Sequence, residues 1–196
     1  MSIMSPTDVH HEIPENVLQL VAVSKILIEQ ALGVIDGLTS DEQLVASSRF
    51  LPGSTLGKHF RHARDHFELL LTAISSPGPY EFSYDTRSRN VPMESSRSAA
   101  KHAFLDTIRA LDEKAHTVDF DTPVTLHAVT PHMQTFQSTY GRELWFGALH
   151  CIHHWSMVRV IAGEQGINLA DDFGYAPSTL VSQGREVPLG VGTSKI

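Results

Sequence analysis

Residues 139–166 carry apolar side chains almost all the way round a helical wheel, in the run RELWFGALHCIHHWSMVRVIAGEQ. A helix without a polar face has to lie at the centre of whatever it joins, with other helices or sheets on every side. The rest of the chain supplies partners. Apolar positions 17, 20, 21, 27, 28, 31 and 35 recur at helical spacing through residues 15–37 and end at Gly37. Ser40 stands three residues before Gln43, a capping-box spacing for a short helix within 39–54 that stops at Pro52-Gly53. Ser54 or Thr55 can cap a second long helix to Ile74, buried through Leu56, Phe60, Ala63, Phe67, Leu70, Leu71 and Ile74. Ser75-Ser76-Pro77-Gly78-Pro79 ends it, and a polar loop leads to a third helix over 95–114. Residues 123–137 alternate in two short runs around Thr130-Pro131, as a hairpin would.

Four long helices predict an all-α four-helix bundle, with a short β-hairpin between helices 3 and 4 and an irregular C-terminal tail. The 196 residues suffice for one domain, placed at 1–180, with 181–196 a flexible end. Leu169, Phe173, Tyr175 and Leu180 would anchor the tail against the bundle. A charge of -7, from 15 basic and 22 acidic residues, disfavours nucleic acid, which demands a basic face. The same balance disfavours a polybasic membrane anchor, and no uninterrupted apolar run reaches the ~18 residues of a spanning helix. The single cysteine, Cys151, excludes an internal disulfide and reads as a small buried hydrophobe. It suits a cytoplasmic location, with peroxisomal targeting the alternative because the terminal Ser194-Lys195-Ile196 differs from Ser-Lys-Leu by one aliphatic exchange.

Histidine is the chemical outlier. Six of the twelve fall at 59, 62, 66, 150, 153 and 154, where even placement would put about 0.8. His150 and His154 are an i, i+4 pair about 40° apart on the fourth helix, whereas His153 points further round. His59, His62 and His66 line one flank of the second. Two imidazoles from one helix and one from a facing helix would give three nitrogen ligands and leave coordination positions open, a set that suits Zn, Ni, Fe or Cu. The residues alone leave the third ligand between His62 and His66. Three neutral ligands preserve the ion's charge, so such a site would acidify a bound water or thiol. The remaining histidines read as structural or surface groups, with His10-His11 an adventitious metal trap.

Asp65 would either orient a ligand imidazole or serve as an ordinary surface carboxylate. Glu143, about 10.5 Å along the helix from His150, is too far to ligate the same ion and would pair with Arg87 or Arg89 or line the pocket. Arg87 and Arg89 themselves would either hold an anionic group or stay solvated.

His62-Ala63-Arg64-Asp65 and His150-Cys151-Ile152-His153-His154 resemble the His-x-x-Asp and His-x-x-x-His motifs of DinB/YfiT-like four-helix metalloproteins, over residues 15–167. Tyr84-Asp85-x-Arg87-x-Arg89, Gly141-Arg142-Glu143-Leu144 and Phe173-Gly174-x-Ala176-Pro177-Ser178-Thr179 resemble a subset of them. The resemblance implies an up-down-down-up bundle, a divalent ion on His62, His150 and His154, and a homodimer. It also implies a metal-dependent enzyme, a thiol transferase or hydrolase, acting on a small-molecule substrate with a low-molecular-weight thiol cofactor or water. The alternative is a non-catalytic metalloprotein whose ion staples helices 2 and 4, with His66 as a fourth ligand and a surface serving a protein partner.

Overall fold

The computed structural model describes residues 13–184. The His10-His11 pair, the terminal Ser194-Lys195-Ile196 and residues 185–196 of the expected flexible end lie outside the described residues.

Four long helices, α1 (Glu15–Gly37), α3 (Leu56–Ile74), α4 (Arg97–Lys114) and α5 (Tyr140–Glu164), pack cyclically: α3 on α5 and α4, α1 on α4 and α5. Short helices α2 (Glu42–Val45) and α6 (Pro177–Ser182) complete the helical set. Hydroxyl caps start three of the long ones: Thr55 accepts from the Lys58 N–H, Ser96 from Ala99 and Thr139 from Arg142. The core joins Phe60, Phe67, Phe104, Tyr140, Leu144 and Trp155, and the Trp155 indole donates to the Leu27 carbonyl at 2.7 Å. Cys151 is buried in it, and burial pushes its thiol pKa up.

The all-α, up-down-down-up four-helix expectation needs correction. A three-stranded mixed sheet is part of the fold, ordered β1 (Tyr80–Phe82), β2 (Pro123–Val129), β3 (Met133–Thr139). β2 and β3 are antiparallel, Leu126 opposite Phe136, within the segment of the expected hairpin. β1 instead runs parallel to β2, Glu81 opposite Thr125, and it comes from a segment read as loop. Parallel neighbours need a long crossover, and α4 is that crossover. Three residues behind a Ser/Pro/Gly run are too few to show a period of two, so the strand left no pattern in the sequence.

α1 is the one described helix long and apolar enough to cross a membrane by length and composition, at mean hydropathy 1.6. Lys25 and Glu29 interrupt its apolar run while leaving that average high. Beyond α5 the tail turns at Gly166, where φ is +68° and a side chain would be strained. Phe173 is then buried against Trp155, ring centroids 5.9 Å apart, and Arg159 donates to the carbonyls of Ala170, Asp171 and Phe173.

A histidine cluster between α3 and α5

α3 and α5 face each other along their length, and the histidines of both meet at that seam. Ring nitrogens of His62, His66 and His150 lie within 4.8 Å of one another. His154 joins from the next turn of α5, its Nε2 3.0 Å from Nε2 of His150, while its Nδ1 meets Nδ1 of His59 at 2.7 Å. The sequence pairs His150 with His154 and leaves the third place between His62 and His66; the structure brings both His62 and His66 to His150, and His154 adjoins them through His150. His153 is exposed. His59, read from sequence as structural, was findable: it shares a flank of α3 with His62 and His66 at helical spacing.

Burial keeps these rings neutral. Burial first, and repulsion from neighbouring imidazoles second, hold the pKa of His59, His62 and His150 down to about 4, that of His66 to about 3 and that of His154 to about 2. A neutral imidazole has a lone pair to give. His66 Nδ1 is 3.1 Å from the His62 carbonyl, so it carries the proton and leaves Nε2 as the acceptor. His59 Nε2 is buried without a hydrogen-bond partner, one of two such side-chain atoms among the described residues.

The structure does not bring Asp65 to the imidazoles. Its Oδ2 accepts from Arg61 Nη1 at 2.9 Å, and Arg61 Nε donates to Glu94 at 3.0 Å, all three residues buried. Burial raises the Asp65 pKa against the opposing pull of Arg61. Glu143 does not pair with Arg87 or Arg89 either. It is fully buried and accepts from Ser138, Arg142 and Tyr84. Arg87 and Arg89 are exposed on the loop after β1, where the Arg87 charge opposes protonation of His62 and His66. The sequence put Tyr84 in a motif without giving it a role. A cavity of about 590 Å³ lies between α3, α4 and that loop, lined by Arg64, Glu68, Met93 and His102, and does not include the cluster.

No family model matches the chain, and no solved structure matches it significantly. It is similar to FK506-binding protein 5 of Rhizopus delemar, 32% identical over 159 residues that cover 79% of this chain and 35% of that protein. The chain thus spans about a third of the length of this curated relative. This likeness overturns the DinB/YfiT-like resemblance, since the relative bears the name of an FK506-binding protein. The same likeness overturns the thiol-transferase and hydrolase readings and the metal-staple alternative, which draw on the three-imidazole set together with that resemblance.

Proposed function

We propose that the chain is a binding module whose histidine seam takes a divalent transition-metal ion through His62, His150 and His154, with His66 beside them. The supporting observation is the convergence of neutral imidazole nitrogens from two helices. Two ligands at about 2.1 Å on adjacent positions of an ion stand about 3.0 Å apart at a right angle and about 3.4 Å apart at a tetrahedral one. The 3.0 Å between Nε2 of His150 and Nε2 of His154 falls at the lower of these separations. The donor set is all nitrogen, which suits Zn, Ni, Cu or Fe rather than Mg or Ca. His59 would orient His154 from behind, as outer partners of metal-bound imidazoles do. The test is metal analysis of tag-free protein followed by Ni(II) titration calorimetry. Stoichiometric binding lost in His62→Ala and in His150→Ala, and kept in His153→Ala, is expected. Absence of stoichiometric binding by the wild type overturns the reading.

The relative favours a second reading, in which the chain contributes to binding FK506. Titration of FK506 into this chain tests it. Saturable binding supports the reading, and no binding assigns recognition of that ligand to the part of the relative that this chain does not span.

A further inference from the structure

A carboxylate with no exposed surface is costly unless its lone pairs are used, and Glu143 uses them on donors from three places in the fold. Oε1 accepts from Ser138 Oγ at the end of β3, at 2.6 Å, and from Arg142 Nη1 in the first turn of α5, at 2.7 Å. Oε2 accepts from the Tyr84 hydroxyl, on the loop after β1, at 3.0 Å. With its hydroxyl tied, the Tyr84 ring lies stacked on His66, centroids 4.4 Å apart and planes 14° apart. His66 lies in turn on His150, at 3.7 Å and 24°. Phe146 closes the side of this stack, 5.4 Å from Tyr84, 5.9 Å from His66 and 5.8 Å from His150.

An imidazole turns easily about its last side-chain bond, whose torsional minimum is broad, and a lone pair is useful to a ligand only when the plane of the ring is fixed. The bond from His66 Nδ1 to the His62 carbonyl fixes one edge, and the faces of Tyr84 and His150 fix the rest. We propose that Tyr84 and Glu143 are positioning residues: Glu143, acting through the Tyr84 hydroxyl, sets the plane of His66 and, across the stack, that of His150. The consequence for ligand binding rests on the metal reading above, while the claim about ring orientation stands apart from it.

The experiment has two arms on wild type, Tyr84→Phe and Tyr84→Leu. In the first, protein with isotope-labelled histidine rings is examined by NMR without metal, the His66 and His150 signals being assigned by their loss in the alanine variants. Tyr84→Phe keeps the stacked ring and loses only the tie to Glu143, so the His66 and His150 ring signals should shift or broaden while the backbone spectrum elsewhere is retained. In the second, Co(II) is titrated and its visible absorption band followed. Tyr84→Phe should weaken Co(II) binding about tenfold and alter the band, and Tyr84→Leu should approach a hundredfold, roughly the range for loss of an outer partner. Wild type that binds no Co(II) removes the metal reading, and the NMR arm still decides the positioning claim. Ring signals of His66 and His150 unchanged in both variants overturn the proposal whatever the metal does.

Discussion

Acid should destabilise the metal-free protein across a pH range set by its histidines. In the folded chain the cluster pKa values lie at about 4 for His59, His62 and His150, about 3 for His66 and about 2 for His154, all below the 6.5 of a free ring. Between 6.5 and those values the unfolded chain binds protons that the folded chain refuses, so stability present above pH 6.5 is lost as the pH falls. Each proton is worth about 1.4 kcal/mol per pH unit. His66 and His154, only 3% and 7% exposed, are the rings least screened by solvent. Each should therefore remove about 3 kcal/mol between pH 6.5 and pH 4, and the three more exposed rings less. Against a typical total of about 5–15 kcal/mol, that is enough to bring the protein close to unfolding at pH 4. Urea midpoints in the presence of a chelator, taken from pH 7 to pH 4.5, measure the slope, and His66→Asn should flatten it. Added Ni(II) should move the curve to lower pH, because an ion competes with protons for the same lone pairs. A midpoint that stays constant from pH 6.5 to 4.5 without metal would refute the argument.

Three further expectations concern the frame around the cluster and are all read in urea midpoints. A Cβ on Gly57 would collide with the Glu94 carbonyl, a backbone group that cannot swing aside, so Gly57→Ala should cost at least the roughly 1–3 kcal/mol usual for overpacking. Arg61→Ala leaves the Asp65 and Glu94 carboxylates buried without their cation and should cost about 3–5 kcal/mol, whereas replacing all three residues by apolar ones of similar volume should recover most of it. Phe173→Ala removes a ring that is 4% exposed and stacked on Trp155, with an expected loss of about 3–5 kcal/mol; a loss under 1 kcal/mol would mean the tail does not depend on that anchor.

Legibility in the sequence followed the range of the interaction. The helical wheels placed His59, His62 and His66 on one flank of α3 and paired His150 with His154, because spacing along one helix fixes which side chains share a face. Buried Phe173 announced itself by hydrophobicity in a turn-like segment. Contacts between distant segments left no such trace. Asp65 stands three residues from His62 yet belongs with Arg61 and Glu94, and 33 positions separate those two partners. Glu143 lies 59 positions from Tyr84, and no local pattern marks that pairing. β1 exists because β2 is there to accept it. The reaction class rests on the open three-imidazole set and on the motif resemblance, and the likeness to FK506-binding protein 5 overturns it.

The correction to the fold bears directly on the site. In a bundle of helices alone, Glu143 in the first turn of α5 would have only its own helix to satisfy it, and an unsatisfied buried carboxylate would be expelled or protonated. The sheet removes that difficulty from both sides. β3 runs straight into α5 and presents Ser138 to Glu143 across the Thr139 cap. β1, held parallel to β2 through the α4 crossover, delivers Tyr84 two residues beyond its end, and Asp85 fastens the loop by accepting from the Val129 N–H at 2.8 Å. The strands thus carry donors to a carboxylate at one end of α5, and the aromatic stack carries the resulting constraint inward to His66 and His150. Substituting His132 in the far turn, with Val129 kept to hold Asp85, should leave the His66 and His150 ring signals unchanged, whereas deleting β1 should free the Tyr84 and His66 rings even where the helices persist.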